Sequence, residues 1–366
     1  MLINMKTFIP AAISVGIAAL FLLSCKSATT TPPTPDNTGT TLTAFKLASD
    51  ADAPNFNSAN IESCWSSATP LTVTASPIGS FTGSTFPVTI SSVVSSKNVY
   101  FLVQYADADP NYLQQPLHFH GGDATKGVNW SIDSNTYDDG VSLIFEQTGF
   151  PGTSGSKTFI ANGCAMLCHT NSTSNWNPGM FSENNGRYSI WYWHAGKGNG
   201  SGYADNDQSI GAPNYDIESV DNNAEIYDFN VISDNPGVRP YYVAGGTNRN
   251  LDKNYFIAEE TAQQFQHGVA INPATNKAWA MDDIVPSFSL ALPSVASDYY
   301  AVNAKGYWAN GKWTVKFQRA LNTGAGNPDA QFASGNQYLF SFAIHNNNAP
   351  ADHYGAANNS FVLKIP

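Results

Sequence analysis

Charged side chains are scarce in this chain. They make up 12% of its 366 residues, and acidic residues outnumber basic ones by 28 to 17. Soluble domains typically carry about 25% charged residues. The formal net charge is −11, and the sequence has no basic stripe that could meet phosphate groups, which argues against a nucleic acid partner. Asparagine, serine, threonine and glycine replace the missing charges, as is typical of loop-rich β proteins outside the cytoplasm.

Cysteine is also rare, with 4 residues in the chain. The first, Cys25, follows a hydrophobic N-terminal segment that begins after Lys6 and is too short for a clear membrane span. The end of this segment, Leu22-Leu23-Ser24-Cys25, looks like a bacterial lipoprotein signal. We therefore predict a signal peptide over residues 1–24, with Cys25 acylated after cleavage. A plain secretory signal with a chance cysteine is the alternative.

Residues 25–43 are rich in threonine, proline, serine and glycine and cannot bury a core. This composition predicts a flexible linker between the lipid anchor and the folded domain. The anchor would place the protein outside the cytoplasm, on the periplasmic face of a membrane or at the outer membrane or cell surface. Disulfides and covalent haem are both permitted there. Residues 44–366 remain, enough for a full hydrophobic core.

The region 44–366 contains many short segments with the alternating apolar pattern of strands, separated by turn signals. Asn310-Gly311 predicts a tight type I′ hairpin turn. Weak helical spacing predicts one short helix at Glu259–Gln266, within a long polar stretch, 205–282, that we interpret as an insertion. The pattern predicts an all-β fold, an antiparallel β-sandwich with few short helices and long loops. Strands are predicted at 71–74, 86–90, 98–105, 141–146, 188–194, 299–302, 305–308, 312–317, 337–345 and 361–365.

One stretch, Cys164-Ala165-Met166-Leu167-Cys168-His169, combines two cysteines with an adjacent histidine. In c-type cytochromes two such thiols bind the haem vinyl groups and the histidine binds the iron. The usual spacing is two residues, whereas three separate these cysteines. Spacing alone therefore leaves open a covalent haem, a disulfide or a bare metal site. The cysteine count does not discriminate, because haem attachment and a Cys164–Cys168 disulfide both leave Cys64 single.

Several segments together resemble the haem-binding domain shared by the ethylbenzene dehydrogenase and dimethylsulfide dehydrogenase γ-subunits and by related c-type cytochromes. The three-residue cysteine spacing is a feature of the c-type branch. The resemblance implies a β-sandwich that holds one haem for electron transfer. The chain departs from the γ-subunits, which hold haem b through methionine and lysine, and it is longer, mostly at 205–282. The matching segments are Val99–Asp107, Gly163–His169, Ile190–His194, Gly202–Asp205, Gly311–Leu321 and Tyr338–His345.

The resemblance and the motif together suggest a set of iron ligands. His169 is the proximal ligand, since the adjacent thioethers fix its position. The sixth ligand is predicted to be His345, in a place where relatives commonly offer a histidine or lysine. His194 and Met180 are reserve candidates, and His353 is interpreted as structural with a ligand role only in reserve.

Trp191 and Trp193 are expected to contact the porphyrin, while the other tryptophans are interpreted as core residues. His118 and His120 alternate along a strand and could bind a metal, but we interpret them as exposed loop residues. The paired acids are interpreted as turn and surface residues; they are Asp138/Asp139, Asp282/Asp283 and Glu259/Glu260.

The predicted function is an extracytoplasmic, lipid-anchored c-type cytochrome with one covalent haem c at Cys164 and Cys168. It would pass electrons between redox partner proteins and would not itself be an enzyme. A molybdenum oxidoreductase or a multihaem cytochrome is a possible partner. Two alternatives stay open: a haem subunit of a molybdenum oxidoreductase complex, or a surface carbohydrate-binding β-sandwich lipoprotein with a local disulfide.

Overall fold

Short strands make up most of the structure, a computed structural model. It describes residues 41–78, 81–123, 126–152, 158–168, 186–209, 217–219, 227–229, 231–233, 236–240, 281–282, 284–285, 287–290, 301–324, 329–348, 352–356 and 359–366. These residues belong to one compact unit, Thr34–Pro366. The predicted positions of His169, Met180 and the helix at 259–266 lie outside the described residues.

Strands β1 to β21 follow one another with two short helices between β8 and β9. The helices are α1 (Phe159–Asn162) and α2 (Ala165–Cys168). Short 3₁₀ helices cover Asp50–Asp52, Ser63–Ser67 and Gly127–Asn129. In the part of the chain that is described, no helix has the length and apolarity needed to cross a membrane. The strands are β1 Thr41–Thr43, β2 Phe45–Lys46, β3 Leu71–Pro77, β4 Phe86–Val94, β5 Asn98–Ala106, β6 Leu117–Phe119, β7 Trp130–Ile132, β8 Gly140–Glu146, β9 Tyr188–His194, β10 Asp205–Ser209, β11 Ile217–Ser219, β12 Tyr227–Phe229, β13 Ile232–Ser233, β14 Val238–Arg239, β15 Ile284–Val285, β16 Phe288–Leu290, β17 Val302–Trp308, β18 Lys312–Ala320, β19 Gln337–His345, β20 Tyr354–Gly355 and β21 Phe361–Lys364.

The long strands form a β-sandwich of two largely antiparallel sheets. The first sheet has the order β11-β10-β9-β8-β19-β20, and β21 pairs with the other half of β19. The second has the order β3-β4-β5-β18-β17, and the pairing of β20 with β3 links the two sheets. Two pairings are parallel: β1 with β21, and β2 with β4. Smaller sheets are formed by β12-β16, β13-β14 and β15-β6-β7.

The main core lies between the two sheets. Because side chains alternate across a strand, every second residue of β8, β9 and β19 points into it. Phe101 of β5 meets Phe145 of β8 and Trp191 of β9, with ring centroids 5.6 Å and 5.9 Å away. Burying such rings supplies most of the driving force for folding.

The opposite face of the first sheet is covered as well. Helices α1 and α2 pack there, so β8, β9 and β19 are buried on both faces. This second apolar layer, which we call the outer layer, contains Ile78, Ile144, Phe159, Cys164, Met166, Leu167, Tyr188, Ile190, Leu339, Ala343 and Val362. The cysteine motif therefore lies on the outer face of the sheet and not in the sandwich interior.

The structure confirms the predicted fold class and most strand positions. Strands β9 and β19 have the predicted bounds, and Asn310 and Gly311 have φ angles of 53° and 73°, as a type I′ turn requires. Two features of the domain organisation differ from the prediction. The described chain begins in a strand, β1, at residues that we had assigned to the linker. The predicted insertion contains β10, a full member of the first sheet.

Candidate haem site on the outer face of the first sheet

The turn between α1 and α2 places Cys164 against the sheet. Thr158 caps α1 by accepting a hydrogen bond from the backbone N–H of Ala161, at 3.3 Å. Gly163 ends the helix with φ 52°, and a Cβ there would lie 2.2 Å from the carbonyl oxygen of Asn359. Only glycine permits both this backbone conformation and this close approach. The chain thus turns sharply and Cys164 is directed inward.

Cys164 is fully buried and forms no disulfide with any described residue. Its backbone N–H donates to Ser341 Oγ, at 3.1 Å, and its Sγ lies 3.7 Å from Nε2 of His353. Burial raises the pKa of this thiol to about 12, so it is protonated at neutral pH. Cys168 ends α2, but its side chain lies outside the described residues, as does all of His169.

Two histidines lie on the same face of the sheet, one on each side of β8. His345 ends β19 and His194 ends β9, and both pair with Gly140 on the strand between them. Both are buried. The ring of Tyr192 fills the space between them.

His345 has the properties of a neutral imidazole ligand. Its ring is buried, and Nδ1 has no hydrogen-bond partner among the described residues. Burial lowers its pKa well below the ordinary value, and the neighbouring His353 and His194 act in the same direction. A neutral imidazole with an available nitrogen is the form that binds metals. Buried polar atoms normally have partners, so Nδ1 calls for an explanation.

His194 is held in a different way. Its Nδ1 lies 3.3 Å from a carboxylate oxygen of Asp138 and its Nε2 lies 3.4 Å from one of Asp205. Burial lowers the pKa of His194 to about 4, with Lys197 adding to the effect and Asp138 opposing it. Because carboxylates flank both ring nitrogens, His194 is poorly suited to be the sixth ligand.

The acids Asp138 and Asp139 are buried, so our interpretation of them as surface residues was wrong. The Asp138 carboxylate accepts hydrogen bonds from the backbone N–H groups of Gly196 and Lys197. Burial alone would raise the pKa of Asp138, but His194, the charge of Lys197 and the Lys197 backbone N–H together lower it. Asp139 binds other loops around the site. The sequence pattern did not reveal the burial of these two acids, because their burial depends on long-range contacts.

Trp191 and Trp193 do not lie near Cys164. Both project into the core between the sheets, where Trp191 contacts Phe145 and Trp193 contacts Trp313. Cys164 packs on the opposite face, in the outer layer. The two tryptophans therefore do not share the face of the first sheet on which Cys164 lies, and their contact with a porphyrin stays a prediction. The outer-face tyrosines of this strand are Tyr188 and Tyr192.

Of the other histidines that the structure describes, one joins the site and two do not. His353 is fully buried, beside Cys164 and with its ring centroid 5.3 Å from that of His345. His118 and His120 lie on the small sheet, near Asp133 and Ser131. Within the described ranges no group of three or more His, Cys, Asp or Glu side chains is arranged to hold a metal ion. Loop position and lack of periodicity hid the role of His353 in the sequence.

Similar solved structures are distant. A family 9 carbohydrate-binding module from Caldicellulosiruptor kristjanssonii in complex with glucose is 7% identical, with a TM-score of 0.34, and the match covers 89% of this chain and 96% of that one. The same kind of module in complex with cellotriose is 6% identical, with a TM-score of 0.31, covering 89% and 94%. These values are too low to support an argument about function.

A search of curated proteins finds no match. A family model described as ethylbenzene dehydrogenase matches residues 62–356. That range includes most of the sandwich and every described residue of the candidate site. The chain belongs to the ethylbenzene dehydrogenase family.

Proposed function

We propose that this protein is an extracytoplasmic electron-transfer protein with one covalently bound haem c. The haem would be attached through Cys164 and Cys168, and His169 and His345 would bind its iron. When bound, it would supply a one-electron Fe(III)/Fe(II) couple.

The observation that carries the proposal is the meeting of Cys164 and His345 on one face of the first sheet. They lie far apart in the chain, yet both are buried and both contact His353. Nδ1 of His345, which has no hydrogen-bond partner in the described part of the chain, fits a ligand atom. The chemistry of the donors, a thiol in one place and a neutral imidazole in another, fits a thioether-bound haem.

The protein residues around this site would exclude water and fix the ligand. Ile144, Ile190 and Leu339 form part of the outer layer beside Cys164. Such apolar surroundings lower the local dielectric, which tunes the potential of a metal centre. Ser341 holds the backbone at Cys164 in place.

The family description supports a partnership with an oxidoreductase complex, in which this protein would serve as the haem subunit or electron carrier. A molybdenum oxidoreductase or a multihaem cytochrome are the partner types that we propose. The acidic chain, with a net charge of −11, would favour a basic docking surface on the partner. The sequence Leu22-Leu23-Ser24-Cys25 supports attachment to a membrane through a lipid at Cys25.

The proposal is tested by producing the protein together with a haem-maturation system. We expect a Soret band and haem staining that survives denaturing electrophoresis. Replacing both Cys164 and Cys168 with serine should abolish the stain. The matched control is Cys64→Ser, which removes a thiol far from the site and should leave the stain unchanged. A colourless wild-type protein under these conditions would refute the proposal.

The ligand assignment is tested separately. His345→Ala should make the ferrous haem bind carbon monoxide, because an axial position becomes open. His118→Ala is the control, since its imidazole lies on the small sheet beside Asp133. If His345→Ala leaves carbon monoxide binding unchanged and His194→Ala opens the iron to it, His194 is the ligand.

A further inference from the structure

The ring of Tyr192 connects two imidazoles that stand on different strands. Its centroid lies 3.6 Å from that of His194 and 4.7 Å from that of His345, with interplanar angles of 38° and 31°. Tyr192 and His194 project from β9, whereas His345 projects from β19, and β8 runs between them. The tyrosine ring therefore crosses above β8 to reach His345.

Gly140 makes this crossing possible. It is the β8 residue that pairs with both His194 and His345. A Cβ at Gly140 would lie 2.6 Å from Cε2 of Tyr192 and 3.3 Å from its hydroxyl oxygen. Its φ is not in the left-handed region, so the backbone conformation does not demand glycine here. The lack of a side chain is needed for space, and Tyr192 occupies that space.

His345 is thereby packed against two rings. The Tyr192 ring lies at a centroid distance of 4.7 Å, and the His353 ring lies at 5.3 Å with an angle of 47°. Nδ1, the atom that we assign to the iron, has no hydrogen-bond partner among the described residues. Because no hydrogen bond at this atom fixes the ring, contacts with the two neighbouring rings restrict the plane of the imidazole.

We propose that Tyr192, seated over Gly140, is a positioning residue that fixes the plane of the His345 imidazole for the haem iron. This inference rests on the proposed function. Tyr192 acts through His345 and does not itself bind the iron. Its phenol oxygen is not needed for this role, because the contact is between ring faces.

The expected effect follows from the strength of ring packing. Losing one aromatic pair should raise the ratio of ligand-off to ligand-on haem by about 2- to 12-fold. Tyr192→Leu removes the ring, and Gly140→Ala keeps the ring but displaces it. Both should raise the fraction of ferrous haem that binds carbon monoxide and shift the ferric low-spin EPR g values. Tyr192→Phe should restore wild-type behaviour in both measurements.

Tyr307→Leu is the matched control. Tyr307 is a half-buried tyrosine on β17, the last strand of the second sheet, and its hydroxyl donates to the carbonyl oxygen of Phe56. Its loss should leave carbon monoxide binding and the EPR spectrum unchanged. A general loss of stability would affect this variant too, so the control separates positioning from folding.

The outcomes distinguish this inference from the function on which it rests. If the wild type carries covalent haem and neither Tyr192→Leu nor Gly140→Ala changes the spectra, the positioning role is refuted and the haem function stands. If the wild type carries no haem, both fail together. Should Tyr192→Leu not fold, Gly140→Ala and Tyr192→Phe decide: a Phe variant as perturbed as the Ala variant would overturn the role of the ring.

Discussion

Replacing Asp139 with alanine should destabilise the fold strongly, because one carboxylate joins three separate segments. Its Oδ2 accepts hydrogen bonds from the Asn111 backbone N–H, at 2.7 Å, and from the Trp313 indole N–H, at 3.0 Å. Its Oδ1 accepts from the Asn347 backbone N–H, at 3.1 Å. The side chain is fully buried. Alanine would remove both acceptor oxygens, and with them all three hydrogen bonds, at once.

The magnitude depends on how many donors find another partner. Trp313 keeps a second acceptor in Asp107, at 3.2 Å, and Asn347 is exposed enough for water to replace the carboxylate. The half-buried Asn111 loses the most. A buried donor without an acceptor costs about 1–3 kcal/mol. We therefore expect Asp139→Ala to lower the free energy of unfolding by about 2–4 kcal/mol, counting one full loss and two partial ones.

Urea unfolding followed by tryptophan fluorescence measures this change. Asp109→Ala is the control, because Asp109 is an exposed residue of the same acidic loop as Asp107. Exposed substitutions of this kind usually change stability by less than about 0.5 kcal/mol. If Asp139→Ala and Asp109→Ala unfold at the same urea concentration, the carboxylate does not hold these segments together.

Two further predictions concern buried charges. The ammonium of Lys316 is enclosed by three backbone carbonyl oxygens and a Glu62 carboxylate oxygen, at 2.7–3.1 Å. Lys316→Met should therefore lower the free energy of unfolding, measured in urea, by about 3–5 kcal/mol. An unchanged urea midpoint would contradict this. Burial, and then the nearby charge of Asp107, raise the pKa of Asp139 well above its ordinary value. The stability that this group contributes is therefore fully present below about pH 4, its pKa in the unfolded chain, and is lost as the pH rises through the folded-state pKa. Asp107→Asn should therefore flatten the decline in unfolding free energy as the pH rises above about 4, and parallel wild-type and variant curves would contradict it.

The strands were predictable because alternation and turn residues are local signals. β9 and β19 are long, rich in aromatic and β-branched residues, and bounded by polar segments, so their limits could be read directly. The hairpin at Asn310 followed from its sequence alone, since that residue pair favours positive φ at both positions. Local chemistry decides such features, and the rest of the chain does not override it.

The face on which each side chain lies could not be predicted in the same way. The β9 strand is apolar on both faces, because the second sheet covers one and the outer layer covers the other. Period-two alternation shows that Trp191 and Tyr192 point in opposite directions, but not which of them meets the cysteine. The choice depends on where α1 and α2 pack, which is a long-range property.

The buried histidines His345 and His353 show the same division. His345 could be singled out from the sequence because it ends a clear strand. His353 stands in a loop and is brought to the site by the pairing of β20 with β19. That pairing is two residues long and has no strong sequence pattern. Short pairings of this kind position side chains but cannot be predicted from the sequence pattern.

The parallel pairing of β1 with β21 has a consequence for how the chain reaches its native state. Thr41 lies beside Val362, so most of the chain must be made before the first strand finds its neighbour. Contacts of such large sequence separation slow folding, because a long loop must close before they form. An emerging chain would therefore keep β1 unpaired until β21 is available, while β3, β4 and β5 can already pair with one another. We therefore expect the pairing of β1 with β21, which completes this sheet, to form late in folding.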